Sequence, residues 1–474
     1  MNRVNVYRED RNEKNSGLNE LIYEYYESRI LFGVYRYGEQ LLSVPKICAS
    51  FRLGRNTIQM ALDKLEKNGY IESEERKVAR VVYQGTEETF RENAAKYFVP
   101  RKEGILDFEY AGELLFFPMW KIGVHNLETD IRGNLNENHD TVMDQTVPIP
   151  VKLYFEVLRT FHNDLLLNLY WQCLRYLNFL YPKRDTDIPV LAAGETLPET
   201  NMQGLKSEFD DYFDSIQNEV LEFIAHAGEA YHLENVRQIP FSWTIYRRRP
   251  QVRYTLASVI IREILWERYP VGSYLPSLPK MAEQYQVSLS TVRRTLDVLH
   301  SLGVTRTYMG IGTKVCLEPV GMEVMKISEI RENMRLHGEG MQILAMTVRS
   351  VTLFTMESVT KRKREEFLRS ITKLRGKTSS ILFIDVLLSF ISAECPSAII
   401  RECYDKLREL NTWGYILSAV LMGTGQLDAD YTGFIDRQEK DLRTDDFDAF
   451  AEQWQIFIEN RMKFFYSKFS FREE

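Results

Sequence analysis

The chain has 474 residues, 44% hydrophobic and 27% charged, with 25 Gly and 15 Pro; this composition excludes a disordered, collagen-like or low-complexity protein and predicts about three domains. Sixty Lys and Arg against 67 Asp and Glu give a formal charge of −7, so the chain as a whole lacks the basic excess of a general nucleic-acid binder. Five scattered cysteines (Cys48, Cys173, Cys316, Cys395, Cys403) without C-x-x-C spacing argue for a reducing compartment and against a disulfide scaffold.

The N-terminal stretch MNRVNVYREDRNEKNSG has no apolar core of a secretory signal. The first predicted element is an amphipathic helix over 21–31, followed by a turn at Gly38. Ser43 stands where an N-cap opens a short helix ending near Phe51. A second helix then buries Ile58, Leu62 and Leu65 at i, i+4, i+7 spacing, stops at Gly69 and leads into strands at 70–73 and 79–83. From 85 to 243 the periodicity is helical throughout. Residues 155–180 read as one or two buried helices, and the polar stretches 125–150 and 183–204 read as long loops.

The same order then returns. A helix is expected over 256–269, a turn at Gly272, and an N-cap at Ser277 for a helix ending near Tyr285. The next helix has Val292, Leu296 and Leu299 inward, Gly303 as its stop, and strands at 304–308 and 313–317. A second helical region fills 319–474, and 384–410 resembles 155–180 in its spacing and its break before a second helix. The apolar runs 165–180 and 381–393 are interrupted by Arg175 and Asp385, so neither reaches the roughly 18 uncharged residues of a membrane span. A cytoplasmic protein without a membrane partner is the expectation.

Residues 38–71 align without a gap on 272–305, with identities at Gly38/Gly272, Leu41/Leu275, Ser43/Ser277, Pro45/Pro279, Lys46/Lys280, Thr57/Thr291, Leu62/Leu296, Asp63/Asp297, Leu65/Leu299 and Gly69/Gly303. Conservative pairs such as Ile47/Met281 and Ile58/Val292 keep the apolar positions, so the chain reads as an internal duplication. The predicted fold is mainly α: two winged helix-turn-helix domains, each of three helices and a small β-hairpin wing, alternating with two all-helical bundles. Their expected bounds are 18–84 and 251–318 for the winged helices, 85–243 and 319–474 for the bundles, and 244–250 for a basic linker containing Arg247, Arg248 and Arg249.

Both copies resemble the DNA-binding domain of the GntR family of bacterial transcription factors, whose motif runs LPS-x-x-x-LA-x-x-(F/Y)-x-VSR-x-TVR-x-AL and ends in a G-x-G-T wing. The second copy has LPSLPKMAEQYQVSLSTVRRTL and the wing Gly310-Ile311-Gly312-Thr313; the first has LLSVPKICASFRLGRNTIQMAL. Each departs from the motif. Arg55 is kept but Gln59 replaces the later Arg. Arg293 is kept but Leu289 replaces the earlier one. The first wing reads Arg76-Lys77-Val78-Ala79. Neither copy has the full contact set, so the two should not read the same bases.

The resemblance implies contacts from the N-terminal half of each second helix, which enters the major groove in helix-turn-helix proteins. That face carries Arg55, Asn56, Gln59 and Met60 in the first copy, and Ser290, Arg293, Arg294 and Asp297 in the second. Arg donates twice to guanine, and Asn or Gln pairs with adenine. Ser43, Lys46, Thr57, Ser277, Lys280 and Thr291 suit phosphate oxygens, and Ser288 joins the DNA-binding set. Arg76, Lys77 and Arg80 serve the first wing; Gly310, Gly312, Thr313 and Lys314 serve the second. Met60 and Leu289 are read as packing or neutral. Net charge supports an uneven division: +1 over 18–84, +6 over 245–318 and −14 elsewhere.

The helical regions resemble the effector-binding and dimerisation domain called FCD, through Phe161-His162 followed by Asn168-Leu169. That resemblance implies a metal held by Asp-x-x-x-His and two later His. Here Leu158 stands four before His162, His226 and His232 are six apart, and the second region has only His337, so no metal is expected. Phosphate-binding, zinc-protease and nucleophile-elbow motifs are missing, so no catalytic residue, cofactor or enzymatic role is expected. The resulting reading is a transcriptional regulator that binds double-stranded DNA, responds to a small-molecule effector and forms a homodimer through its helical domains. The alternative is a non-catalytic protein-interaction role for degenerate winged helices.

Overall fold

The computed structural model describes residues 18–51, 54–73, 77–133, 149–178, 202–246, 252–318, 327–377, 379–423 and 430–469. The chain divides after Arg247 into two compact units. In the first, α1 (Leu18–Leu31), α2 (Val44–Phe51) and α3 (Arg55–Lys67) precede an antiparallel pair, β1 (Ile71–Glu72) and β2 (Arg80–Val81), in the register Ile71 opposite Val81. Ile58, Ala61, Leu62 and Leu65 form the buried stripe of α3 and pack towards α1. At its end Gly69 takes φ +78, a conformation that costs glycine little, and Tyr70 N–H returns to the Leu65 carbonyl.

The rest of this unit is helical: α4 (Glu87–Phe98), α5 (Lys102–Ala111), a π-helical stretch over Gly112–Phe116, α6 (Phe117–Gly133), α7 (Ile149–Arg159), α8 (Asp164–Tyr176) and α9 (Met202–Ala230). Two sequence expectations need correction here. The stretch 125–150 is not all loop, because α6 runs on to Gly133 and α7 opens at Ile149; likewise α9 opens at Met202, inside the expected loop 183–204. The remainder of both stretches lies outside the described residues. Between α7 and α8 the chain turns at His162 (φ +50), and Asn163 caps α8 by accepting from Leu166 N–H at 2.8 Å. An extended segment then returns along α8, where the Gln172 amide bonds both the N–H and the carbonyl of Thr244 at 2.8 Å.

The second unit begins with α10 (Val252–Leu265), α11 (Leu278–Tyr285) and α12 (Leu289–Ser301), followed by β3 (Thr305–Tyr308) and β4 (Gly312–Val315). Each of these helices is as long as its counterpart and lies 234 residues after it. The short bridges that join each wing to the preceding turn, Gln40 to Arg80 and Tyr274 to Lys314, keep the same offset. The first helix of this copy closes at Leu265 and not at Tyr269, with Glu267 at φ +59. A bundle follows: α13 (Ser328–Ser358), α14 (Lys361–Thr372), α15 (Ser380–Glu394), α16 (Ala398–Gly423), α17 (Thr432–Arg443) and α18 (Phe447–Lys468). The long α13 packs on α16 and α18, α15 packs on α16, and α10 rests on α16. The protein is therefore mainly α, with two winged helix-turn-helix units and two helical bundles. Most of the expected basic linker lies outside the described residues.

Candidate nucleic-acid interface

In the second winged helix the turn into α12 is built by three residues. Gln286 adopts the left-handed conformation (φ +54), Val287 N–H bonds the Ala282 carbonyl, and Ser288 opens the helix. The Ser288 hydroxyl accepts from Thr291 N–H at 3.1 Å and lies 2.8 Å from Ser290 Oγ and 2.9 Å from Thr291 Oγ1. Such a cap stabilises a helix by about 1 kcal/mol. It also commits three hydroxyls to one cluster at the tip of the helix. The cap expected at Ser277 differs: the residue occupies the N-cap position but its side chain makes no capping bond.

Arg293 and Arg294 stand exposed on α12, one turn from this cluster, together with Ser290 and Asp297. Val292, Thr295, Val298 and Leu299 form the buried face. Thr295 takes the place expected for an aliphatic side chain by donating its hydroxyl to the Thr291 carbonyl at 2.9 Å, while Leu296 is half-buried. Glu263 of α10 accepts from the Tyr285 hydroxyl of α11 and pairs with Arg268. Burial first, and then this carboxylate, hold the Tyr285 hydroxyl well above the usual phenol range, so it stays protonated and fixes α11 against α10.

The second wing turns through Tyr308-Met309-Gly310-Ile311, with Ile311 N–H on the Tyr308 carbonyl and Gly310 at φ +73. Gly312 has φ +136. Lys314 is half-buried opposite Arg306 in the hairpin. Thr313 is buried, and its hydroxyl lies 3.0 Å from that of Thr307, so its side chain supports the hairpin and not an outer contact. The strand's two-residue alternation, with Thr313 and Val315 inward, carried that signal. Sequence reasoning also missed the apolar wing tip: Met309 is 99% exposed and Ile311 69%.

In the first winged helix α3 starts at Gly54, which offers no side-chain cap. Arg55, Asn56, Gln59 and Met60 are exposed, Thr57 is half-buried, and Gln59 donates to Asp63 at 2.8 Å within the same helix. Lys46, Lys77 and Arg80 are exposed and Ser43 is half-buried; Ser277 and Lys280 are exposed in the second copy. Arg76 lies outside the described residues. The fold thus gathers Arg55, Asn56 and Gln59 on one exposed helix face, and Ser290, Arg293 and Arg294 on its counterpart.

Among the described residues no three His, Cys, Asp or Glu side chains gather as metal ligands, and no helix is long and apolar enough to cross a membrane. His162, His226 and His232 are exposed, whereas His337 is buried. No curated protein matches the chain. A solved structure of GntR from Streptococcus agalactiae is 19% identical, covering 45% of this chain and 99% of its own with a TM-score of 0.21. A transcriptional regulator GntR from Rhodococcus sp. RHA1 is 14% identical, covering 46% and 99% with a TM-score of 0.24. Two segments, residues 18–81 and 255–315, each match the model of bacterial regulatory proteins of the gntR family.

Proposed function

We propose that this chain is a sequence-specific DNA-binding transcriptional regulator without catalytic activity, whose two winged helices, 18–84 and 251–318, arose by internal duplication. The helical regions 85–243 and 319–474, read as divergent FCD-like domains, tune DNA affinity through a small-molecule ligand and provide a surface for homodimerisation. One observation carries the reading: two separate matches to the same regulator family fall on two helix-turn-helix units whose second helices expose Arg55, Asn56 and Gln59, and Arg293 and Arg294. In this reading Ser43, Lys46, Thr57, Ser277, Lys280, Ser288 and Thr291 set the register on phosphates, and the wings add Lys77, Arg80, Gly310, Gly312 and Lys314.

The exposed residues differ between copies, so one chain should protect two unlike half-sites, about one helical turn or a multiple of it apart. Footprinting on genomic fragments selected by binding tests this. Affinity should fall steeply and linearly with salt on logarithmic axes; absence of DNA binding at low salt overturns the reading. The second reading, a protein-interaction role, is favoured in the first copy by exposed Met60 and by Gln59 being tied to Asp63. A single perfect palindrome bound without regard to Arg55→Ala would assign DNA to the second copy alone.

A further inference from the structure

Inside the second bundle, helices α13, α15, α16 and α18 enclose a cavity of about 250 Å³. Its walls are mostly apolar, with Ile381, Ile384, Leu417 and Phe464 among them, and it lies at the small end of ligand pockets. Its polar lining is Ser380, Ser418, Tyr431 and, on opposite helices, Arg461 and His337. Arg461 of α18 donates from Nη1 to the Tyr431 hydroxyl at 3.1 Å, but its buried Nε has no hydrogen-bond partner. Among the described residues no carboxylate pairs with this guanidinium, and none lines the cavity. His337 of α13 is 5% exposed and directs Nδ1 at the Leu410 carbonyl, 3.2 Å away. A carbonyl only accepts, so Nδ1 carries the proton and Nε2 is left as an acceptor. Burial pushes the imidazole down to about 4, which keeps it neutral near pH 7.

A half-buried guanidinium that has aromatic rings (Tyr431 and Phe464, 5.9 and 5.6 Å away) but no carboxylate beside it, and the open Nε2 acceptor of His337, define the missing partner. The cation calls for an anion, the acceptor for a hydrogen-bond donor, and the walls for a carbon skeleton. We propose that this cavity is the effector site and that it takes a small hydroxy acid of roughly ten non-hydrogen atoms: its carboxylate accepts from Arg461 and its hydroxyl donates to His337 Nε2. Gly414 of α16 lets Ile381 and His337 pack directly against that helix at the cavity wall. A Cβ there would lie 2.5 Å from Ile381 Cδ1 and 2.9 Å from His337 Cε1.

The site also has a route to the second winged helix. α16 presents Gly414, Leu417 and Ser418 to the cavity, and the same helix carries Arg408 and Trp413. Arg408 holds Asp385 at 3.1 Å, Asp385 holds Arg262 of α10 at 2.9 Å, and Trp413 meets Tyr254 of α10 with ring centroids 6.4 Å apart. A ligand that shifts α16 therefore bears on the helix that seats α12.

The assignment deepens the ligand-responsive part of the proposed function, so binding is measured on the full chain without DNA, and the effect on DNA affinity separately. The probes are 2-, 3- and 4-hydroxybenzoate, with benzoate lacking the donor and phenol lacking the charge, followed by calorimetry and thermal shift. At least one hydroxybenzoate should raise the melting temperature and bind at least tenfold tighter than phenol. Arg461→Met should weaken it at least tenfold, and Arg461→Lys less. His337→Asn should weaken the hydroxybenzoate more than benzoate. Failure of all three hydroxybenzoates to bind, or equal affinity in the Arg461 variants, overturns the proposal. If Arg461→Met does not fold, the Lys variant alone decides. Binding that leaves a demonstrated DNA affinity unchanged overturns the effector role.

Discussion

In the first winged helix α3 is held on α1 by polar chemistry: Lys64 bonds Glu20 at 2.6 Å and sits 4.0 Å from the Tyr23 ring centroid, while Asn68 donates to the Tyr23 hydroxyl at 2.8 Å. In the second, the positions 234 residues on are Val298, Tyr254, Leu302 and Ala257, all buried. The same backbone is thus braced once by a partly exposed ion pair and once by an aliphatic seam. The attachment to the helical region is polar in both units but differs in strength. Ser28 of α1 meets buried Asn178 at 3.2 Å, and half-buried Glu24 meets half-buried Arg175 at 3.2 Å. The counterpart of Ser28 is Arg262, bound to buried Asp385. Each head has polar links to its helical region, but only beneath the second does a buried carboxylate hold two guanidiniums, so the second head has the stronger anchor.

The largest effect should come from that anchor. Asp385→Ala leaves Arg262 and Arg408 without their shared carboxylate, and a broken buried pair costs about 3–5 kcal/mol; urea unfolding followed by tryptophan fluorescence should give a much lower midpoint than for Asn178→Ala. An unchanged midpoint would reduce the anchor to a surface contact.

Next in size is a pH effect confined to the second unit. The folded pKa of His337 is about 4, below its ordinary 6.5, so between those values the unfolded chain binds the additional proton. Stability is complete above pH 6.5 and falls as pH drops towards 4, by on the order of 3 kcal/mol. His337→Gln should flatten this slope in unfolding midpoints measured from pH 4.5 to 7.5. Among the described residues the first unit buries no histidine to match it.

Arg293→Ala and Arg55→Ala should each cost roughly 1–3 kcal/mol of specific DNA binding and relax base preference in only one half-site. If the second head grips harder, Arg293→Ala is the worse of the two, as competition binding would register. The smallest change is Lys64→Met, below about 1 kcal/mol because the pair is part-exposed, and smaller still in high salt. A loss of several kcal/mol would mean that the polar brace is essential to the first head.

The local architecture was legible because its signals are local. Apolar spacing marked the inner faces of α3 and α12, and Gly69 and Gly303 stopped them with φ +78 and +68. The repeat carried each element from one copy to the other. Long-range pairing had no such signal. In the sequence Asp385 merely interrupts an apolar run; only packing against Arg262 and Arg408, far away along the chain, reveals its role. Arg461 and His337 are likewise unremarkable until α18 and α13 bring them to one cavity. The errors at 125–150 and 183–204 came from reading polarity as loop, when exposed helix faces are polar as well.

Ile381 and His337 can lie against α16 in the second bundle because position 414 lacks one carbon atom. Glycine in the interior of a 26-residue helix is itself a liability, roughly 0.5–1 kcal/mol worse than alanine. Alanine is one nucleotide away in the genetic code. A single mutational step would therefore gain helix propensity, and the close contacts with Ile381 and His337 are the opposing cost. Sequence comparison among close relatives would check this: glycine should persist at 414 where Ile381 and His337 persist, and alanine should enter where those side chains become smaller.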